Sequence, residues 1–296
     1  MPDKWREITQ EEEADIERHV NRIMRRIATA RISVEDVLSE IDVMNLSRRE
    51  QRAVLRRVNE ILSELDADLA EEARASVEDT YEHGRALTLV ALGTFATVGA
   101  AKRHLRKQGK GNVHKSFISD EAESLTDDLL AATANTRRHV KRTVRKVAAE
   151  ALREGRRGRQ GARPISRELT QRLRQELGAS ADMAITDAAG RRWKLNVYAE
   201  MAVRTKLAEA QVEGERNQAI EDGALYGVVS THAGACEKCI PWEGRILKLT
   251  SDAPGDYPTV EDAQAEGLLH PNCKHLVSPI SDFDLLPDRL RRINRL

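Results

Sequence analysis

The chain has 296 residues, enough for two domains that each bury a core. Aromatic residues make up 3% and charged residues 32%, which disfavours an aromatic-rich, β-branched sandwich or barrel and favours long helices. Lys+Arg and Asp+Glu are equal at 48 each, so the net charge excludes no partner and only the distribution of charge is informative.

Residues 1–80 lean acidic, and the opening Met1–Arg26 is charged throughout, without the apolar run of a secretory signal. Thr9 with Glu12 and Ser47 with Glu50 each form an S/T-x-x-E capping box, which predicts helix starts at both places. After Ser47 the apolar residues Val54, Leu55, Val58, Ile61, Leu62, Leu65 and Leu69 recur at spacings of three and four, one stripe of a helix. The pattern runs on through Val77 and Tyr81 to about Leu105. Within it, Ala86–Ala101 carries no charge. At that length it is too short to span a bilayer comfortably and reads as a buried helix segment, with a membrane-active segment as the alternative.

A polar, Gly-bearing break at Gln108–Asn112 precedes a second long helix, predicted over Glu121–Arg153. Leu125, Leu129, Ala132, Thr136, Val140, Val144, Val147 and Ala151 line one face of it. Two such helices joined by a short break suggest an antiparallel hairpin. Gly155–Pro164, with three glycines and a proline, suits a boundary and not a helix interior. Beyond it, Ser166–Leu177 predicts a short helix and Met183–Leu195 a hairpin turning at Asp187–Gly190. Lys194–Asp222 then predicts a helix, and Leu225–Ser230 a strand. The remainder is rich in Pro and Gly turns, with little core and a need for a staple. The expected fold is α+β: a long-helix domain, hairpin or bundle over residues 1–154, a basic Gly/Pro linker over 155–164, and a small α+β zinc-stapled domain over 165–296.

All three cysteines lie between Cys236 and Cys273, and an odd number argues against a closed disulfide framework. Cys236-Glu-Lys-Cys239 presents two thiolates from one tight turn. His270-Pro-Asn-Cys273-Lys-His275 supplies further donors some thirty residues later. Tetrahedral zinc needs four such ligands. The preferred set is Cys236, Cys239, Cys273 and His275; His270 is the alternative fourth ligand or a residue that orients a neighbour. His232 is a weaker candidate. Buried free thiols and a redox C-x-x-C are the competing readings, the latter disfavoured because the motif runs into Ile240-Pro241-Trp242.

Taken together, Val229-Ser-Thr-His232, the C-x-x-C run through Ile-Pro-Trp-Glu-Gly244, Tyr257-Pro258-Thr, and Gly267-Leu-Leu-His270-Pro-Asn-Cys273-Lys-His275 resemble the phage minor capsid protein 2 family. That family is itself similar to the Mu F-like head-morphogenesis group. Tyr198-Ala-Glu-Met-Ala-Val-Arg204-Thr205 also looks like the family's helix, so the resemblance covers roughly residues 165–280. Related Mu F-like sequences carry a cysteine where His275 stands, which implies a ligand position there. The resemblance further implies a structural virion protein and not an enzyme, present at the portal vertex or capsid interior. Its implied partners are the portal or major capsid protein and packaged double-stranded DNA, with no small-molecule substrate.

Between Arg137 and Arg163 stand eleven Lys/Arg against two acidic residues, Glu150 and Glu154. Arg137, Arg138, Lys141, Arg142, Arg145 and Lys146 fall on the polar side of the second long helix, and Arg153, Arg156, Arg157, Arg159 and Arg163 continue from it. A dense positive strip can bind phosphates without any sequence motif, although an acidic protein surface or plain solvation would use it equally. Two enzymatic alternatives remain. One is a zinc-containing nuclease using His270. The other is an ADP-ribosyltransferase-like activity using Arg204 and Ser230.

Overall fold

A computed structural model describes residues 2–43, 46–159, 167–186, 192–270, 273, 275–280 and 282–295. Among them are eight α-helices and five short strands. In chain order these are α1 (Pro2–Ser39), α2 (Arg48–Ala91), α3 (Val98–Gln108), α4 (Asn112–Arg159), α5 (Arg167–Ala179), β1 (Met183–Thr186), β2 (Arg192–Lys194), α6 (Leu195–Glu221), β3 (Tyr226–Val229), β4 (Ile246–Lys248), α7 (Val260–Ala265), β5 (Val277–Ile280) and α8 (Asp288–Ile293). A mostly helical N-terminal region is thus followed by a small antiparallel sheet of three strands.

The chain forms two compact units, and neither is continuous in sequence. One comprises Met1–Val20, Ala73–Ser124 and Val203–Leu296; the other comprises Asn21–Glu72 and Leu125–Ala202. The long helices contribute segments to both, so the units interleave along the chain and do not follow one another.

The second unit rests on the predicted stripes. Val58, Leu62, Leu65 and Leu69 of α2 are buried, and so are all eight predicted face residues of α4 from Leu125 to Ala151. Asp66 meets Thr133, and Ser63 meets Arg137, so partner numbers rise as α2 descends. That is the antiparallel arrangement expected of the pair. Arg22 and Arg26 of α1 pair with Glu72 and Asp68 in the same antiparallel sense. Met183–Thr186 and Arg192–Lys194 pair as the expected hairpin, although its turn lies outside the described residues.

Several boundaries differ from expectation. The first helix begins at Pro2, so Thr9 lies in its interior and does not cap it. Ser47 does cap α2: its Oγ accepts from the Glu50 N–H at 3.3 Å, while Glu50 accepts from the Ser47 N–H at 2.6 Å. The stripe expected to run on to Leu105 is interrupted after Ala91, where Gly93 takes φ +80 and Thr97 caps α3 through the Ala100 N–H. The α4 helix is longer than predicted at both ends and continues through Gly155 and Gly158 to Arg159. A glycine inside a helix costs about 1 kcal/mol, and a 48-residue helix absorbs that. No helix is long and apolar enough to cross a membrane among the described residues.

In the first unit α2 and α6 touch backbone to backbone. A Cβ at Gly84 would run into the Gln211 carbonyl, whose carbon is 3.1 Å away, and one at Gly214 would run into the Tyr81 carbonyl in the same way. The close approach lets Thr88 Oγ1 donate to Glu215 O (3.0 Å), Arg85 Nε to Gln218 Oε1 (2.9 Å) and Asn217 Nδ2 to Tyr81 Oη (2.8 Å). The opposing atoms are backbone and cannot rotate away. Gly84→Ala and Gly214→Ala should therefore each lower stability by roughly 1–3 kcal/mol in urea unfolding. Gly178→Ala, with open space around its Cβ, should leave stability unchanged or raise it.

Nearby, the largely buried Glu121 of α4 lies against Glu209 and Lys206 of α6. Burial first, then the hydrogen bond with Glu209, pushes its carboxyl up to about 7 from 4.5. The folded chain therefore holds a proton that the unfolded chain has already released between those values. This contribution is complete below about pH 4.5 and is lost as pH rises through about 7. Glu121→Gln should flatten the pH dependence of the melting temperature across that window and give the more stable protein at pH 8. Parallel melting curves for the two proteins would refute this.

Candidate metal centre

The three-stranded sheet has β3 in the middle, antiparallel to β4 on one side and β5 on the other. Successive residues of a strand face opposite sides, and both sides are covered. Val228 packs with Ile246, Ile280 and Leu286, backed by Tyr226, Tyr257 and Phe283. Val229 packs with Leu247, Val277, Trp242, Val260 and Leu268.

The register explains how the cysteines meet. Val229, the last residue of β3, pairs with Val277, the first of β5. Whatever follows Val229 and whatever precedes Val277 must therefore sit at the same end of the sheet. Ser230 extends the pairing, its N–H donating to Leu276 O (2.9 Å) while its Oγ accepts from Leu276 N–H (2.9 Å). The segment leaving β3 then forms the C-x-x-C turn, closed by the N–H groups of Cys239 and Ile240 on the Cys236 carbonyl (3.0 Å each). The segment entering β5 brings His270, Cys273 and His275. The turn ahead of it contains Leu269 in a left-handed conformation (φ 56), sparsely populated for a residue with a Cβ.

Two overlapping triplets result, Cys236–Cys239–His270 and Cys239–Cys273–His275, each with its ligand atoms within 4.8 Å of one another. Cys239 belongs to both. Its Sγ lies 3.6 Å from Cys273 Sγ; Cys273 Sγ lies 3.5 Å from His275 Nδ1, and Cys236 Sγ 3.1 Å from His270 Nε2. Two sulfurs that share a tetrahedral zinc at about 2.3 Å stand about 3.8 Å apart. The Cys239–Cys273 separation, with three thiols and two imidazoles as donors, fits such an ion. All five residues named from the sequence are thus brought together.

The electrostatics of the cluster are uneven. Cys236 is exposed, and backbone hydrogen bonding from Cys239, with His270 nearby, lowers its thiol to about 6. Burial, then the two neighbouring thiols, pushes Cys239 up to about 12. Burial raises Cys273 too, but hydrogen bonds with His275 outweigh it and bring it down to about 7. For His275, burial is outweighed by Cys273 and Glu243, and its pKa is raised.

Glu243 is the residue that sequence reasoning did not single out. Its Oε1 lies 3.1 Å from His275 Nε2 and accepts the His232 N–H at 2.7 Å. His275 therefore turns Nδ1 to the thiols and Nε2 to a carboxylate, the usual arrangement that fixes the tautomer of a metal-bound imidazole. No local signal marked it: it stands in the Pro241-Trp242-Glu243-Gly244 run, which reads as a turn. His232 stacks edge-on against His275 at 4.9 Å, and its Nε2 meets Ser230 Oγ at 3.0 Å.

A cavity of about 210 Å³ opens beside the cluster, with Phe117, Glu121, Glu209, Arg216, His270, Cys273 and His275 in its walls. Ser230 is engaged by the sheet and by His232, and Arg204 pairs with Glu17 at 2.7 Å. Neither contact supports a dinucleotide-binding pair. Of the basic strip, Arg138, Lys141, Arg142, Arg145, Lys146 and Arg153 are exposed on α4. Arg137 is half-buried against Asp66 (2.6 Å), and Lys146 is paired with Glu176. The side chains of Arg156, Arg157 and Arg159, and all of Arg163, lie outside the described residues.

No curated protein and no solved structure matches the chain. The family model for phage minor capsid protein 2 does, over residues 10–283. The match extends the resemblance far beyond residues 165–280 and takes in the N-terminal helices. Such breadth leaves no doubt of membership, which carries with it a place in the virion and capsid proteins as partners: the chain belongs to the phage minor capsid protein 2 family.

Proposed function

We propose that the chain is a structural component of the phage head whose C-terminal sheet is locked by one structural zinc ion. The observation that carries the role is the family match over residues 10–283. The zinc assignment is supported by the sharing of Cys239 between two groups of donors, Cys236–Cys239–His270 and Cys239–Cys273–His275; the reading takes Cys236, Cys239, Cys273 and His275 as the ligands. Three thiolates and an imidazole fill a tetrahedron. They leave no position for a reacting water, so the site is structural and the nuclease reading loses its activated nucleophile. Loading the site would displace thiol protons and couple metal binding to folding of the sheet.

Purified protein should contain about one zinc per chain. Chelation should melt the C-terminal sheet, seen as loss of Trp242 fluorescence anisotropy in a chain with Trp5→Phe and Trp193→Phe, and Cys273→Ser should do the same without chelator. A chain that is metal-free and equally stable with all three cysteines changed to serine would end the zinc assignment.

Within the virion, the reading places this protein at the portal vertex or inner capsid wall, where Arg138, Lys141, Arg142 and Arg145 face DNA phosphates. Among the described residues, Lys141, Arg142 and Arg145 have no carboxylate partner, which leaves their charge available. Reversal of these three to glutamate should abolish salt-sensitive retention of duplex DNA, each lost contact also flattening the salt dependence. Retention unchanged by the triple substitution would reassign the strip to solvent or to an acidic protein surface.

A further inference from the structure

In the helical part of the first unit a second constellation stands apart from the thiols. Asp15 and His19 are one turn apart on α1, and Asp79 and His83 are one turn apart on α2, two copies of Asp-x-x-x-His facing each other. Residues four apart share one face of a helix, so each copy presents both donors to the other helix. His19 Nε2 lies 3.3 Å from Asp79 Oδ2 and 3.8 Å from Asp15 Oδ2. The ligand atoms of Asp15, His19 and Asp79 all fall within 4.8 Å of one another.

The outer contacts of this cluster are those of a built site. Each carboxylate gives one oxygen to a cation: Asp15 Oδ1 to Arg18, and Asp79 Oδ1 to Lys102 at 3.3 Å. The other oxygen is turned toward His19. The ring of His19 is oriented through Nδ1 by Ser76 Oγ at 3.1 Å. Asp15 is 0% exposed, yet its Oδ2 has no hydrogen-bond partner. An unsatisfied buried carboxylate oxygen costs free energy unless something occupies its lone pairs. His83 stands at the wall, its Nδ1 3.7 Å from Asp15 Oδ1 and its Nε2 likewise buried without a hydrogen bond.

We propose that Asp15, His19 and Asp79 bind a second metal ion, a divalent cation of the manganese type that takes oxygen and imidazole donors. Two carboxylates and one imidazole suit such an ion better than the soft, thiolate-loving metals. Asp79 is 41% exposed, so the remaining positions belong to water and the site opens to solvent. Bound there, the ion ties the Asp15–His19 turn of α1 to Asp79 of α2 and stabilises the unit by mass action.

The test uses the full chain with its thiol cluster intact and zinc-loaded, titrated with Mn²⁺ and followed by loss of the free-ion paramagnetic resonance signal. Expected are one Mn²⁺ per zinc-loaded chain and a melting temperature that climbs with Mn²⁺, with the bound zinc retained throughout the titration. Asp79→Asn, conservative at a half-exposed position, should weaken binding at least about tenfold, and Ser76→Ala about tenfold to a hundredfold through loss of ring orientation. The proposal falls if wild type takes up no stoichiometric Mn²⁺ and gains no thermal stability from it. It falls equally if Mn²⁺ binding survives Asp79→Asn and zinc is released in step with Mn²⁺ uptake, because the ion would then be in the thiol cluster.

Discussion

The pairing of Val229 with Val277 is the constraint on which the C-terminal region turns. Strands of three and four residues are too short to hold a sheet by their own ladder, since useful stability needs several strands and a packed face. Here each face has its own apolar cluster, and the two long turns at one end of the sheet meet in the one that holds Cys239, Trp242 and Leu268. Antiparallel register forces those turns together. Once together, their donors are close enough for a single ion to join them. The fold thus makes the site, and on the proposed assignment the site in turn fixes the fold. Glu243 belongs to the same logic, because one carboxylate oxygen holds the backbone of the first turn through His232 and the side chain of the second through His275.

Much of this arrangement could be read from the sequence, because it rests on local signals. Of the α2 stripe, Val58, Leu62, Leu65 and Leu69 are buried and Val54, Leu55 and Ile61 half-buried, and the α4 stripe from Leu125 to Ala151 is buried as its period requires. The Ser47–Glu50 box, the β1–β2 hairpin and the β3 strand also fall where turn and pattern rules place them. What was not legible depends on distant partners. A T-x-x-E motif at Thr9 looks the same whether or not helix precedes it. The interruption after Ala91 is hidden because Ala86–Ala101 remains apolar on both sides of the Gly93 turn. Gly155 and Gly158 look like breakers, but neighbouring residues in α4 outweigh them. The interleaving of two units cannot be seen at all in a one-dimensional pattern, since a long helix gives no sign of where its packing partner changes. Glu243 was illegible for a related reason: one glutamate among 48 acidic residues acquires meaning only when His275 arrives beside it from thirty residues away.

The low aromatic content shapes how the helices pack. With few large rings to fill space, the first unit brings α2 and α6 into direct backbone contact at Gly84 and Gly214. Close helices bring polar groups into reach, and the crossing is lined by Thr88, Arg85, Gln218, Asn217 and Tyr81 in mutual hydrogen bonds. Tyr81 then passes the network on to His114, which meets Glu221 at 2.7 Å. Buried polar networks of this kind are costly when incomplete and restrictive when complete. They define one helix register where a layer of interchangeable Leu and Val would accept several.

On the proposed zinc assignment, the case for His275 as a ligand rests on what its own ring touches. His275 is buried, directs Nδ1 to Cys273 and has Nε2 held by a carboxylate, so its orientation is determined without any ion. His270 is half-buried, reaches toward the exposed Cys236, and follows Leu269 in its left-handed conformation. A preorganised donor loses little freedom on binding metal, which suits His275 to the ligand role that the proposed assignment gives it. His270 lies on the other side of the shared Cys239, with its Nε2 3.1 Å from Cys236 Sγ.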